Sequence, residues 1–370
     1  MSLYYARLSK NGFPAAALAA QGVNLPKLQL RAQDPNERTT YVEQVSFGPE
    51  IQLTGNTLMS LYYVGNWGRK ENRLRNANQG VVTGFSGASP VVTFPYANLN
   101  SQTTAVGGAG QHAFLELATN DGNTDFNALE VNLNRQFSHG LMYQISYTWS
   151  HNMADFVDNL TGGSTPQNAY DYAHEMSNSP LDVRSRFTGG ASWMLPVGKG
   201  GLVLNNGGVL ANVIGGWQFN GIVNLQTGIP FNVTAPDVSD TGPNHAEYPN
   251  CVGNAYAGTT TDPHQYAGSK APGVFLNPSA FAIPSTGSFG TCRPRMFHGP
   301  GIQDENLSLF KSFSVGAERS LQFQAEFFNA FNHPNFTNPS GNISFPASFG
   351  KSFNTSTTPR VIQFSGKFLF

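Results

Sequence analysis

The chain has 370 residues, and its 21 Lys and Arg nearly balance its 22 Asp and Glu. Without a basic excess or a basic run, it lacks the electrostatic pattern of a nucleic-acid-binding protein. Charged residues make up only 12%, beside 40 Gly, 23 Pro and 28 Phe. This mixture argues against a helical enzyme and favours many strands joined by polar loops. No apolar run approaches the roughly 18 residues of a membrane helix, so a membrane location would require a closed barrel.

The N-terminal part of the chain has little periodicity, and residues 1–40 are predicted to be loop and fragment edge. The start has neither a charged region nor an apolar core leading to a cleavage site, so it does not read as a signal peptide. Since an exported protein needs such a signal, we expect the chain to be the C-terminal part of a longer protein. Residues 41–370 are predicted to be the barrel portion.

Alternation of apolar and polar residues predicts the strands. The cleanest case is 141–150, where Leu141, Tyr143 and Ile145 alternate with Met142, Gln144 and Ser146. A helical turn is predicted at 209–214. The predicted strands are 41–51, 56–65, 126–137, 141–150, 184–195, 216–227, 305–315, 320–331 and 361–370.

The last strand ends the chain on an aromatic residue. One face carries Ile362, Phe364, Phe368 and Phe370, and the other face carries polar side chains. This arrangement is typical of the strand that closes an outer-membrane barrel, whose terminal aromatic belongs to the apolar outer band. The alternative is the last strand of a soluble sandwich.

Connection lengths alternate along the chain. Those after residues 51, 137, 195 and 315 are short or moderate, whereas the predicted loops 66–124, 151–183, 228–304 and 332–359 are long. A transmembrane barrel has this property because its two rims differ. We therefore predict an all-β, antiparallel transmembrane β-barrel, present here as a partial barrel of roughly nine or ten strands with short periplasmic turns and long extracellular loops.

Aromatic, polar and cysteine residues refine this prediction. Trp67, Trp149, Trp193 and Trp217 fall near strand ends, where membrane-interface aromatics are expected. Cys251 and Cys292 lie in one polar loop, and we predict that a disulfide joins them, with two unlinked thiols as the alternative. The polar faces would form a wet lumen wall from Glu130, Asn132, Gln144, Gln218, Asn220, Gln322, Gln324 and Glu326.

The sequence gives no strong indication of catalysis, a metal or a cofactor. The run from Asp121 to Asp125 imitates the start of a calcium loop but lacks its later Gly and Glu, so a loop tip is predicted. His245, Glu247 and His264 do not follow the spacing of a zinc motif. A hydrolase at the barrel rim could be assembled only from Asp155, Asp158, His151 and His174, and nothing in the pattern requires it. The chain is predicted not to be an enzyme.

Several stretches resemble the C-terminal barrel of TonB-dependent, Oar-like outer-membrane proteins with a carboxypeptidase-regulatory-like domain. They are YVGNWG (63–68), FNALEVNLNRQFSHGLMYQISYTWSH (126–151), DVRSRF (182–187), LPVGKG (195–200), GGWQFNGIVNLQTGIPFNV (215–233), FLNPSAFAIP (275–284), FGTCRPRMFHGPG (289–301), NLSLFKSF (306–313) and AEFFNAFNHPNF (325–336).

The resemblance implies a bacterial outer-membrane receptor whose complete barrel has about 22 strands around a plug. Its ligand would be an oligosaccharide, a peptide or a chelate. Its partners would be outer-membrane lipid, the barrel-assembly machinery through the C-terminal strand, and a TonB-type energy-coupling protein through an N-terminal plug. Two alternatives remain: an adhesin or export pore without energy coupling, and a soluble secreted carbohydrate-binding β-protein.

Overall fold

The computed structural model describes residues 29–97, 112–156, 165–198, 200–206, 208–242, 246–259, 274–315 and 319–370. In these ranges one helix, α1, spans Val209–Ile214, and a single 3-10 turn spans Pro278–Ala280. The strands are β1 (Gln29–Gln33), β2 (Tyr41–Phe47), β3 (Glu50–Thr54), β4 (Thr57–Asn76), β5 (Val81–Ser86), β6 (Ser89–Thr93), β7 (Phe114–Ser138), β8 (Leu141–Ala154), β9 (Ser177–Asn178), β10 (Ser185–Met194), β11 (Trp217–Gln226), β12 (Pro230–Phe231), β13 (Asn250–Cys251), β14 (Phe281–Ala282), β15 (Phe297–His298), β16 (Ile302–Ser314), β17 (Ser320–Phe328) and β18 (Val361–Leu369). No helix among the described residues is long and apolar enough to cross a membrane.

One large sheet organises the described chain. Its strands follow the order β18-β17-β16-β11-β10-β8-β7-β4-β2, and neighbours along this path are antiparallel. β3 pairs with β4 just beyond β2, so β2 and β3 act as one interrupted strand. The path therefore has nine positions, with β2 and β18 at its two ends. The predicted all-β, antiparallel partial barrel is confirmed, and the barrel is not closed.

The register separates a mainly apolar face from a mainly polar face, most cleanly from β7 to β11. Residues directly opposite one another on neighbouring strands share a face. One such row of the apolar face contains Leu133, Ile145, Gly189 and Val223. The adjacent row of the polar face contains Asn132, Ser146, Thr188 and Asn224.

The apolar face is not the interior of a sandwich. Leu141, Tyr143 and Ile145 are only partly buried, and Phe364 is 66% exposed. A soluble sandwich would bury these side chains against a second sheet. The face therefore needs a different apolar partner, and lipid fits that need.

The two rims differ as predicted. Thr54, Ser138, Met194 and Ser314 end strands at the rim with short or moderate connections, which is also where β18 ends. At the opposite rim, the long connections follow Asn76, Ala154, Gln226 and Phe328.

The predicted loop 66–124 is wrong at both ends. β4 continues to Asn76 and β7 begins at Phe114, and the hairpin β5–β6 lies between them. The extra strand length carries paired charges rather than apolar alternation: Arg69 contacts Asp125 at 2.6 Å and Arg73 contacts Asp121 at 2.7 Å. The Asp121–Asp125 run is thus part of a strand, not a loop tip.

The boundary predicted at residue 40 stays a prediction. Within the N-terminal segment, β1 is described, and it pairs in parallel with the first residues of β7. Residues 34–40 of that segment form no strand, and residues 1–28 lie outside the described ranges.

Substitution of Ile145 tests which face meets lipid. Ile145→Lys places a charge on the apolar face of a central strand, where lysine costs about 2–4 kcal/mol near the bilayer midplane. We expect a marked loss of folded full-length protein, measured by heat-modifiable gel migration of outer-membrane fractions. The matched control, Gln144→Lys, places the same charge on the polar face and should assemble normally. Equal loss for both variants would contradict the assignment.

Candidate ligand-binding surface

The polar face of the sheet carries a connected set of amide and hydroxyl groups. Ser146 Oγ donates a hydrogen bond to Asn132 Oδ1 at 2.6 Å. Gln218 Nε2 donates to Ser192 Oγ at 2.7 Å and to Asn220 Oδ1 at 2.8 Å. These groups satisfy one another along and across strands, as a water-facing wall requires. The same groups can exchange hydrogen bonds with a polar solute.

The predicted lumen residues all lie on this polar face. The strand register places them on the same face of the sheet as Asn132 and Gln218. On β17 this face carries Gln322, Gln324 and Glu326. Gln324 Nε2 donates to Gln322 Oε1 at 2.8 Å. We call this surface the polar wall.

Long connections at one rim pack into a unit that we call the loop assembly, formed by the described residues of 165–183, 228–301 and 332–360. Its aromatic core includes edge-to-face contacts of Phe281 with Phe297 at 5.5 Å and with Phe349 at 5.4 Å. Such pairs contribute about 0.5–1.5 kcal/mol beyond their buried area. The full core cluster is Phe231, Val233, Tyr248, Ala255, Phe275, Leu276, Ala280, Phe281, Cys292, Phe297, Phe336 and Phe349.

A disulfide joins Cys251 and Cys292 within this assembly, with Cα atoms 5.1 Å apart. The two segments also meet through the backbone, where the Cys292 N–H donates to Pro249 O at 3.0 Å. Gly290 is needed for this approach, because a Cβ there would lie 1.9 Å from Tyr248 O. Backbone contact and covalent bond therefore fix the same pair of segments.

Buried glutamines connect this region to the other loops. Gln167 Oε1 accepts the N–H groups of Tyr248 and Gly290 at 3.0 and 3.3 Å, and its Nε2 donates to Gly290 O. Gln79 Nε2 in turn donates to Gln167 O at 2.8 Å. Three connections that are distant in sequence are thus held by two amide side chains.

Arg295 anchors the longest connection to the strand ends. Its side chain is buried, and it donates to Asn178 O at 2.6 Å and to Ala154 O at 3.0 Å. Burial lowers the pKa of Arg295, while the nearby Tyr248, Glu175 and Asp155 oppose that shift. An arginine remains charged even so, and this buried cation is satisfied by carbonyls of β8 and β9.

Asp182 forms a second anchor. Its buried carboxylate accepts hydrogen bonds from the Asn152 N–H at 2.7 Å, Arg184 Nε at 2.8 Å and His298 Nε2 at 3.0 Å. Burial by itself raises the pKa of Asp182, but the hydrogen bonds from His298 and Asn152 and the charge of Arg184 outweigh it and lower that pKa. The ionised carboxylate therefore connects β8, the 165–183 segment and β15.

A third cluster lies where β4 and β7 extend beyond the other strands. The Arg73 guanidinium stacks 3.4 Å from the centroid of the Tyr172 ring and contacts Asp121 at 2.7 Å and Asp155 at 3.3 Å. Cation–π and ionic contacts at a buried arginine reinforce each other. The strand extensions and the loop assembly are joined at this point.

Sequence reasoning did not single out these anchors. Arg295 and His298 lie in the FGTCRPRMFHGPG stretch, and Asp182 begins the DVRSRF stretch. Their presence in stretches that resemble the Oar-like proteins is the sequence feature that indicates a role for them. Their pairing across more than a hundred residues was not visible from the sequence.

Three of the four candidate hydrolase residues make contacts within the loop assembly and the adjoining strand ends. His151 lies 2.8 Å from the Arg184 guanidinium, His174 lies 3.0 Å from Cys292 O, and Asp155 pairs with Arg73. Among the described residues no cluster of three or more His, Cys, Asp or Glu could hold a metal ion. Asp158, His245 and His264 lie outside the described residues.

The four tryptophans share the apolar face but not all the predicted positions. Trp193 and Trp217 flank the moderate connection at the short-turn rim, and Trp149 on β8 is 61% exposed. Trp67 lies in the middle of β4, opposite Asp125, because β4 extends well beyond its predicted end. Their role as membrane-interface aromatics stays a prediction.

A cavity of about 750 Å³ lies between the loop assembly and the strand ends. Its wall includes Tyr147, Phe187 and Leu225 of the apolar face together with Phe275 and Phe336 of the loops. Most strand residues of this cavity belong to the apolar face, while Gln226 and Ile302 come from the polar face.

The disulfide can be tested chemically. We expect an unreduced digest of the exported full-length protein to contain a peptide pair joined through Cys251 and Cys292 that separates on reduction. In the chain-entropy model, a disulfide between residues separated by 41 positions stabilises the folded protein by about 4 kcal/mol. Replacing both cysteines by serine should therefore speed hydrogen exchange in the loop assembly but not in β8. Two free thiols would contradict the bond.

The Asp182 anchor predicts a pH dependence. Asp182→Asn should weaken loop docking by about 2 kcal/mol, because hydrogen bonds to a charged acceptor are lost. The pKa of Asp182 is lower in the folded protein than in the unfolded chain. The loss of docking stability relative to wild type should therefore be fully present above the unfolded pKa of about 4, and it should disappear as the pH falls through the folded pKa. Hydrogen exchange of the segment containing the Asn152 amide measures it. Asp171→Asn, an exposed carboxylate of the same connection, is the control, and an equal effect there would refute the anchor.

Comparison with solved structures finds outer-membrane proteins. The transporter YddB from Escherichia coli has a TM-score of 0.47 at 7% identity, covering 94% of this chain and 34% of that one. The FrpB iron transporter from Neisseria meningitidis, F3-3 variant, has 0.40 at 9%, covering 92% and 32%. The ferripyoverdine receptor of Pseudomonas aeruginosa, bound to ferripyoverdine, has 0.39 at 11%, covering 89% and 27%. The chain thus spans about a third of their length.

A comparison with protein families is more direct. No match was found among curated proteins. The model of the outer membrane beta barrel domain matches residues 3–363, nearly the whole chain. The chain therefore belongs to the outer membrane beta barrel domain family, and it is an outer-membrane protein.

Proposed function

We propose that this chain is the C-terminal part of a TonB-dependent receptor that takes up an oligosaccharide, a peptide or a chelate. The loop assembly captures the ligand outside the cell, and the polar wall lines the route through the complete barrel. A plug encoded upstream would close that route until a TonB-type protein displaces it. The barrel-assembly machinery would recognise the C-terminal strand. No catalytic step is part of the proposal.

The main support is one arrangement: an ordered loop assembly at the long-loop rim of a barrel wall whose inner face is mainly polar and carries connected amide and hydroxyl groups. An adhesin needs the loops but not a hydrogen-bonding inner wall. A simple pore needs the wall, but not loops held by a disulfide, an aromatic core and the buried Arg295 and Asp182. A receptor that transports needs both. The stretches similar to TonB-dependent, Oar-like proteins point the same way.

Deletion of the complete gene tests uptake directly. The deletion strain should lose growth on one of three limiting sources: an oligosaccharide, a peptide or an iron chelate. The full-length gene should restore that growth only in cells with a working TonB system. Restoration without TonB would favour an export pore or channel, and unchanged growth with lost surface attachment would favour an adhesin.

Arg295 links the loop assembly to capture. Arg295→Met removes a buried cation and the two hydrogen bonds that it donates. We expect this to weaken loop docking by roughly 3 kcal/mol and to raise the ligand concentration needed for half-maximal uptake. Arg293→Met is the control, since Arg293 is exposed and donates to Met176 O at the same rim. Both proteins should reach the outer membrane in equal amounts. Unchanged uptake by the Arg295 variant would separate the anchor from ligand capture.

A further inference from the structure

The connection between β10 and β11, residues 195–216, is unlike the other connections at its rim. Its two ends are tied by the Leu195 N–H, which donates to Trp217 O at 2.8 Å. Between them the chain forms a β-bridge between Val197 and Val203 and then helix α1, which agrees with the helical turn predicted at 209–214. Lys199 is the one charged residue in the sequence of this connection.

Aliphatic side chains of this connection point away from the protein. Leu202 is 88% exposed and Val209 is 83% exposed. Val203, Leu204, Leu210, Val213 and Ile214 are also exposed. In α1 the apolar positions 209, 210, 213 and 214 fall on one stripe, while Ala211 is buried. A concentration of exposed aliphatics in an almost uncharged segment marks an interaction surface.

Lys311 fixes where this surface lies. Its ammonium donates to the carbonyl oxygens of Asn212, Val213 and Gly215 at 2.6, 2.7 and 2.7 Å. These three acceptors use all three ammonium donors. The carbonyls belong to the last turn of α1 and its cap, where the helix dipole favours a cation.

Lys311 belongs to the apolar face of β16. Register places it opposite Trp217 on one side and opposite Phe323 on the other. Its ammonium lies 5.3 Å from the Trp217 ring centroid and 5.0 Å from that of Phe313. Trp217 Nε1 adds a hydrogen bond to Val213 O at 3.2 Å. Helix α1 is therefore docked on the lipid side of the wall, not beneath the lumen.

We propose that residues 200–206 and 208–214 form an interfacial anchor in the periplasmic leaflet of the outer membrane, held against the barrel by Lys311. The partner is the acyl-chain boundary of the phospholipids. The exposed aliphatics continue the lipid-facing surface past Trp217, and amphipathic helices of this kind lie in the plane of the interface. A lysine on the lipid-facing side is tolerated there because three carbonyl oxygens accept hydrogen bonds from its ammonium, which offsets the desolvation penalty of the charge. This inference rests on outer-membrane location alone and does not depend on transport.

Fluorophore quenching by lipid tests the anchor. The full-length protein, with Leu210→Cys carrying a bimane label, is placed in vesicles of phosphatidylethanolamine and phosphatidylglycerol with brominated acyl chains. We expect the Leu210 label to lose most of its emission relative to unbrominated vesicles. The control, Asn56→Cys in the exposed β3–β4 turn at the same rim, should keep nearly all of its emission. Equal emission from the two sites would overturn the proposal.

The role of Lys311 needs a second variant. Lys311→Met keeps an unbranched apolar side chain but removes the three donors, so quenching of the Leu210 label should fall while heat-modifiable migration of the barrel is retained. Quenching equal to that of the Lys311 protein would overturn the holding role. If the variant does not assemble, the measurement with native Lys311 still decides whether the anchor is in lipid.

Discussion

Backbone hydrogen bonding in a medium without water is the constraint on which this structure depends. A strand in hydrocarbon must pair on both sides, so the chain can span only as neighbouring antiparallel strands of one wall. That pairing fixes the register, and the register fixes which side chains share a face. The apolar row through Leu133, Ile145 and Val223 follows from it, as does the polar row behind it.

Above the membrane the rules change, because water satisfies exposed groups and long connections can fold as a small domain. There the protein uses buried charge instead of apolar alternation. Arg295, Asp182 and Arg73 each connect a loop to strand ends through several hydrogen bonds or ionic contacts. Breaking a buried network of this kind is costly because it leaves a charge without partners. The result is an ordered surface above the polar wall, although its connections are rich in Gly, Pro and Asn.

Sequence reasoning worked where the bilayer imposes alternation. Predicted strands 184–195, 216–227 and 361–370 agree within one residue at each end with β10, β11 and β18. It failed where the strands leave the membrane: β4 and β7 continue through Arg69, Arg73, Asp121 and Asp125, whose pairing across strands cannot be read from polarity alone. The placement of Trp67 failed for the same reason.

The loop anchors and the Lys311 site were beyond sequence reasoning for a different cause. Each joins residues that are roughly a hundred positions apart, and each looks like an ordinary polar residue on its own strand or loop. Lys311 in particular interrupts an apolar row, and only the carbonyls of α1 explain it. The alternation of apolar and polar residues along a strand predicts which residues meet lipid. It does not predict which polar residues are enclosed by a folded connection.

Alternating accessibility along β8 tests most directly whether one face meets lipid and the other meets water. Single cysteines at positions 143–148 of the full-length protein, in vesicles, would be compared for quenching by brominated acyl chains and for reaction with a water-soluble maleimide. A barrel wall predicts lipid quenching at Tyr143, Ile145 and Tyr147 and maleimide reaction at Gln144, Ser146 and Thr148. Accessibility that does not alternate, or that alternates in the opposite phase, would contradict it.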